Sequence, residues 1–69
     1  MTTSFNHNED HYIVNVDGDE MIRDNGTVWD GINTYHLAIE NEPDARIITL
    51  YVYRKKFGCY IRQATHTRG

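Results

Sequence analysis

Cysteine, proline and long apolar runs are all scarce in this 69-residue chain, and each shortage removes a class of protein. The single cysteine, Cys59, cannot form an intrachain disulfide, so the fold is not stapled as small secreted domains are. The most apolar stretch, Ile47 to Tyr53, is interrupted by Thr49 and ends at Arg54, far short of the roughly 20 residues a spanning helix requires. The opening Met1-Thr-Thr-Ser-Phe-Asn-His lacks the basic and apolar regions of a secretory leader, so a cytoplasmic location without membrane contact is the expectation. Basic residues are nearly missing from the first 45 positions, where ten acids face one base, Arg23, for a charge of −9. The last 24 positions hold no acid and six bases, for +6, and the two parts together give the net −3. Such a split means either neutralisation within the fold or two oppositely charged surfaces.

What is present suffices for one small core. Hydrophobic residues make up 39% and charged residues 25%, which excludes both an obligately disordered chain and a membrane protein. Residues 1–10 are polar and aperiodic and read as a flexible N-terminal arm, leaving 11–69 as a single α+β domain. His11 to Val16 is a strand, with Tyr12, Val14 and Val16 on one face. Asp17-Gly18 supplies a two-residue hairpin turn, and Asp19 to Arg23 pairs back before Asp24-Asn25-Gly26 breaks the chain. Val28, Ile32, Tyr35 and Ile39 then recur at helical spacing, flanked by Trp29, His36 and Leu37. With Thr27 as N-cap, Asp30 in the first turn and Pro43 beyond the end, a helix over about 28–41 follows. Gly31 inside it costs roughly 1 kcal/mol against alanine. Arg46 to Arg54 is a strand, Lys55-Lys56-Phe57-Gly58 a turn, and Cys59 to Ala64 the returning strand, with Cys59 and Ile61 expected in the core. The fold class is α+β, a small antiparallel sheet with one helix on one face, in the order β-β-α-β-β.

The sheet face opposite the helix would display Ile13, Ile47, Tyr51, Tyr53 and Tyr60 with Arg62, and Lys55 and Lys56 at its rim. Tyrosine and arginine dominate protein interfaces, whereas tyrosine pairs also serve simply as good cross-strand partners. Asp17, Asp19 and Glu20 are either a solvated turn or an acidic docking patch. The candidate partner-binding set is thus Tyr51, Tyr53, Tyr60, Arg62, Lys55, Lys56, Asp17, Asp19 and Glu20. A basic aromatic face also suits single-stranded nucleic acid. Lys55, Phe57 and Gly58 match the RNP1 signature of the RNA-recognition motif, but Lys56 stands where glycine is required and Cys59 where an aromatic belongs. His7 and His11, four apart, are too few to define a metal site, and Asp17-Gly-Asp19-Glu20 fails as a calcium loop at Met21, Ile22 and Val28. Cys59 with His36 or His66 is the sole nucleophile–base pairing in reach, and a core-facing thiol would be inert. No enzyme activity, cofactor or metal is therefore expected.

In length, in the layout of one helix (Val28 to Asn41) on a sheet ending in the Ile47 to Ala64 hairpin, and in lacking catalytic motifs, the chain resembles the small phage-encoded inhibitor proteins, among them anti-CRISPR and host-takeover factors. The resemblance implies a stoichiometric binder that blocks a bacterial protein or nucleoprotein complex, its acidic first half imitating nucleic acid toward a basic groove. A single-strand nucleic-acid module, or a self-associating module forming a homodimer, are the alternatives.

Overall fold

The computed structural model describes residues 9–68. Four strands and one helix follow one another as β1 (His11–Val16), β2 (Asp19–Asn25), α1 (Val28–Asn41), β3 (Ile47–Arg54) and β4 (Cys59–Thr67). The strands form one antiparallel sheet in the order β2-β1-β3-β4, so the α+β layout with one helix is realised. Both edge strands contain a one-residue bulge. Met21 is the extra residue of β2, between the pairs Val14↔Ile22 and Asn15↔Glu20, and Gln63 that of β4, between Leu50↔Ala64 and Tyr51↔Arg62. Bulges and charges at an edge discourage edge-to-edge pairing with other chains.

The β1–β2 turn has Asp17 at φ 51° and Gly18 at φ 88°, the paired positive angles that a two-residue hairpin demands. Asp17 does more than turn the chain. Its Oδ1 accepts the backbone N–H groups of Arg46 (2.8 Å) and Ile47 (3.0 Å), which fastens the turn to the start of β3. These two donors, Ile47 first, hold the Asp17 carboxyl below its ordinary value of 3.8. A depressed carboxyl contributes stability that is complete above the ordinary value and vanishes as pH falls through the folded one. Asp17→Asn keeps a tolerated left-handed residue and an acceptor oxygen but loses the charge. Thermal melts should therefore show it less stable than wild type at neutral pH, with the gap closing as pH falls below 3.8 and through the lowered Asp17 value. A gap that is the same at both pH values would refute the role.

Helix α1 begins with a capping box in which Asp30 N–H donates to Thr27 Oγ1 (3.3 Å) and Thr27 N–H donates to Asp30 Oδ2 (2.9 Å). No base lies in its last turn, and Arg68 compensates from the far end of the chain, donating to the Ile39 and Glu42 carbonyl oxygens at 2.7 Å each. The helix packs on β1 and β3, burying Tyr35 and Ala38 against Tyr12, Val14, Val16, Ile48, Leu50 and Val52. Gly31 is buried at the point of closest approach. A Cβ there would lie 3.1 Å from Tyr12 Cβ and 3.2 Å from Leu50 Cδ1, so the glycine that weakens the helix locally lets it settle on the sheet.

Several expectations need correcting. Cys59 is exposed and Ile61 is 39% exposed, because a helix about 10 Å across covers two strands spaced about 4.8 Å and leaves the helix side of β4 open. Trp29 and Leu37 flank the periodic stripe on its solvent side, at 71% and 57% exposure. Strand β2 runs on through Asp24 and Asn25, and β4 continues past Ala64 to Thr67. Of the expected N-terminal arm, residues 1–8 lie outside the described residues, while Glu9 and Asp10 are tied down. Asp10 Oδ1 accepts Lys55 N–H (2.8 Å), its carbonyl accepts Gly26 N–H (3.3 Å), and Glu9 Oε2 accepts from Asn25 Nδ2 (3.2 Å).

Candidate functional site: the open face of the sheet

Strand alternation and register sort the face away from α1 into three rows that run across the sheet. The first is Asn25, His11, Tyr53, Tyr60; the second Arg23, Ile13, Tyr51, Arg62; the third Glu20, Asn15, Thr49, Thr65. Tyr51, Tyr53, Tyr60, Arg62 and Glu20 of the predicted set therefore share one face. Lys55 and Lys56 sit on the β3–β4 turn at its edge, with Lys56 Nζ 5.8 Å from the Phe57 ring centre. Asp17 is on the β1–β2 turn and spends its carboxylate on β3, while Asp19, opposite Val16, belongs to the helix side of β2.

The first row is a packed polar-aromatic cluster. His11 is fully buried, stacked on Tyr53 with ring centres 4.9 Å apart and met edge-on by Tyr60 at 5.4 Å. Tyr53 is buried too, so two residues expected on display, Ile13 and Tyr53, instead pave the floor. The hydrogen bonds set directions. His11 Nδ1 lies 3.2 Å from the Glu9 carbonyl oxygen, which can only accept, so Nδ1 carries the proton. In the neutral ring Nε2 then accepts the Tyr60 hydroxyl proton, at 2.8 Å. With both ring nitrogens engaged, His11 is not placed to bind a metal, and its proposed companion His7 lies outside the described residues. Among the described residues no group of three metal-ligating side chains gathers.

In the second and third rows, Arg23 reaches back to Glu20, its Nε donating to Oε2 at 3.1 Å and its Nη2 to Oε1. That carboxylate, and after it the Tyr60 hydroxyl, raise the guanidinium above its already high ordinary value. Tyr60 thus reaches from the β4 edge across the sheet toward both His11 and Arg23. Beside this arch lies a groove of about 370 Å³, lined by Ile13, Asn15, Gly18, Glu20, Arg23, Tyr51 and Tyr60. Asn15 is among the lining residues, and its Oδ1 is buried without a hydrogen-bond donor.

The Arg54–Asp10 ion pair, at 3.5 Å, joins the basic segment to the acidic one, whereas Arg23–Glu20 lies within the acidic segment. Acids dominate the β1–β2 hairpin and β2, whereas Lys55, Lys56 and Arg62 lie on the β3–β4 hairpin at the opposite edge. The RNP1-like residues Lys55 to Gly58 occupy that turn, and the strand that follows is an edge strand. Three residues of the site escaped sequence reasoning as site residues: His11, Asn15 and Arg23. Two of them carried a signal, since Asn15 is the one amide in an otherwise β-branched and aromatic run and Arg23 the one base among ten acids. No helix among the described residues is long and apolar enough to cross a membrane. Set against known protein families, curated proteins and solved structures, the chain matches none.

Proposed function

We propose that this chain is a non-enzymatic, cytoplasmic binding protein that blocks a bacterial protein or nucleoprotein complex by occupying one of its surfaces, with the open sheet face making the contact. The observation that carries the reading is the groove of about 370 Å³ between Tyr51, Tyr60 and Arg23, on the sheet face opposite α1. Its walls are of the residue types that anchor protein interfaces, and its floor of Ile13 is apolar. The resemblance to small phage-encoded inhibitors in length and layout supplies the class of target. Single-stranded nucleic acid is less well supported, because Tyr53 and Tyr60 lie against each other and His11 rather than standing ready to stack on bases. A homodimer through the same face is the other competing occupant.

Capture of a partner from bacterial lysate, with and without nuclease, and with variants in parallel, tests the reading. Tyr51→Ala and Arg62→Ala are expected to weaken a nuclease-resistant, stoichiometric complex by about 2 kcal/mol each while the melting curve stays in place. Tyr53→Ala is the wrong probe, since it empties part of the floor. Capture that vanishes with nuclease, a stable homodimer in sedimentation, or affinity indifferent to both variants would each count against the proposal.

A further inference from the structure

The two edges of the sheet keep opposite charge. On β2 the Arg23–Glu20 pair cancels within itself, and Asp17 is committed to the start of β3, which leaves Asp19 and Asp24. Both are exposed and stand on the helix side, opposite Val16 and Tyr12. At the other edge Asp10 takes up Arg54, while Lys55, Lys56 and Arg62 are exposed in a segment that contains no acid. Like charges set directly opposite each other are unfavourable, so neither edge suits a two-fold contact with its own kind. The same charges attract the unlike edge.

The topology admits that contact. Strands β2 and β4 run antiparallel to each other, because the order β2-β1-β3-β4 is antiparallel at each of its three steps. A second copy translated to the β2 side therefore brings its β4 alongside in antiparallel sense, with both helices on one face. The rows then correspond. Asp24 lies at the end of the sheet where Lys55 and Lys56 turn the chain, since Tyr12 pairs with both Asp24 and Val52. Ile22 falls in the row of Val14, Leu50 and Ala64, so Ile22 of one copy and the 39% exposed Ile61 of the next supply apolar surface beside the charges. The bulges at Met21 and Gln63 interrupt a backbone ladder along this join, which leaves the contact to side chains.

We propose that the chain associates with a second copy of itself head to tail, the β2 edge of one copy docking on the β4 edge of the next through Asp19 and Asp24 against the Lys55–Lys56 turn. The contact joins two different surfaces, so a third copy adds as the second did and no closed dimer forms. It uses the edges of the sheet and leaves the open face to the partner proposed above.

Sedimentation velocity of the full chain reads the assembly, with reductant present throughout because Cys59 is exposed. At about 0.01 M salt, where charges act over roughly 30 Å, the average sedimentation coefficient is expected to climb with concentration past that of a dimer. At about 1 M salt, where the range is roughly 3 Å, it is expected to return to the monomer value. Asp24→Lys, and separately Lys55→Glu with Lys56→Glu, should each raise the concentration for half-association about tenfold. Asp19→Lys is a second probe of the acidic edge, and unchanged melting curves certify that each variant is folded. Mixing Asp24→Lys with the double glutamate variant is expected to restore assembly, since each then presents the edge charge that the other lacks. Tyr51→Ala should associate as wild type does, which separates this contact from a homodimer through the open face. A monomer at every concentration in low salt, a mass that stops at the dimer, or association that no charge reversal weakens would overturn the proposal. None of these results bears on partner capture through Tyr51 and Arg62, so the two readings stand or fall apart.

Discussion

Leu50→Ala is expected to lower unfolding free energy by about 2–5 kcal/mol, the range for emptying a leucine site that cannot collapse. Leu50 has no exposed surface, lies on central strand β3, and points at the notch that Gly31 opens in α1. The helix above it and the paired strands on either side hold the cavity open, which favours the upper part of the range. A domain of this length has a total stability of roughly 3–10 kcal/mol, so the substitution removes a large fraction of it. The melting temperature should fall by about 4–8 °C per kcal/mol, roughly 8–40 °C in all. Leu37→Ala is the matched control, because the same chemical change at a 57% exposed position of α1 leaves no cavity. Its effect should stay within about 0.5 kcal/mol. Denaturant titrations of the two variants settle the matter, and similar losses from both would show that α1 does not seat on β3 as described.

The contrast between Leu50 and Leu37 also marks where the sequence was legible. Period-two alternation in His11–Val16 and Ile47–Arg54, the Asp17-Gly18 turn, and the 3.6-residue spacing from Val28 are local signals, and each element formed where its pattern lay. Burial is not local. The side chains at Cys59 and Ile61 alternate as core residues do, yet whether anything covers them depends on where a helix of fixed width lands on a four-stranded sheet. The open face was half legible for the same reason. Alternation placed Tyr51, Tyr53, Tyr60 and Arg62 together, but the register that brings Tyr60 to His11, and the bulge that sets Glu20 opposite Asn15, are properties of strand pairing. Charge told a similar story, since the −9 and +6 segments are obvious in the chain, whereas the placing of Asp19, Glu20 and Asp24 on one edge strand and of Lys55, Lys56 and Arg62 at the hairpin of the other follows from the strand order.

Gly31→Val is expected to be the most damaging single change on α1, and its size should depend on Leu50. A glycine in an exposed helix interior would gain from any side chain, by roughly 1 kcal/mol for alanine. At this position even the first added carbon meets Tyr12 Cβ at 3.1 Å and Tyr12 Cγ and Leu50 Cδ1 at 3.2 Å, and two of these three atoms belong to the stiff base of an aromatic side chain. Valine adds two methyls beyond that carbon and gives up helix propensity through its branched β-carbon. The helix must rise off β1 and β3, at a cost of about 3 kcal/mol, the upper end of the usual overpacking range. Leu50→Ala withdraws one of the three contacts, so valine at 31 partly fills the cavity that alanine at 50 leaves. The double variant should then be more stable than the sum of the single losses predicts, by about 0.5–3 kcal/mol. Additive losses would mean that Tyr12 alone sets the height of the helix. Because Gly31 and Leu50 work on the helix side of the sheet, partner affinity per folded molecule should be the same in all three variants, whereas Tyr51→Ala lowers affinity without moving the melt. Opposite responses of this kind would separate the face that holds the fold from the face that meets the partner.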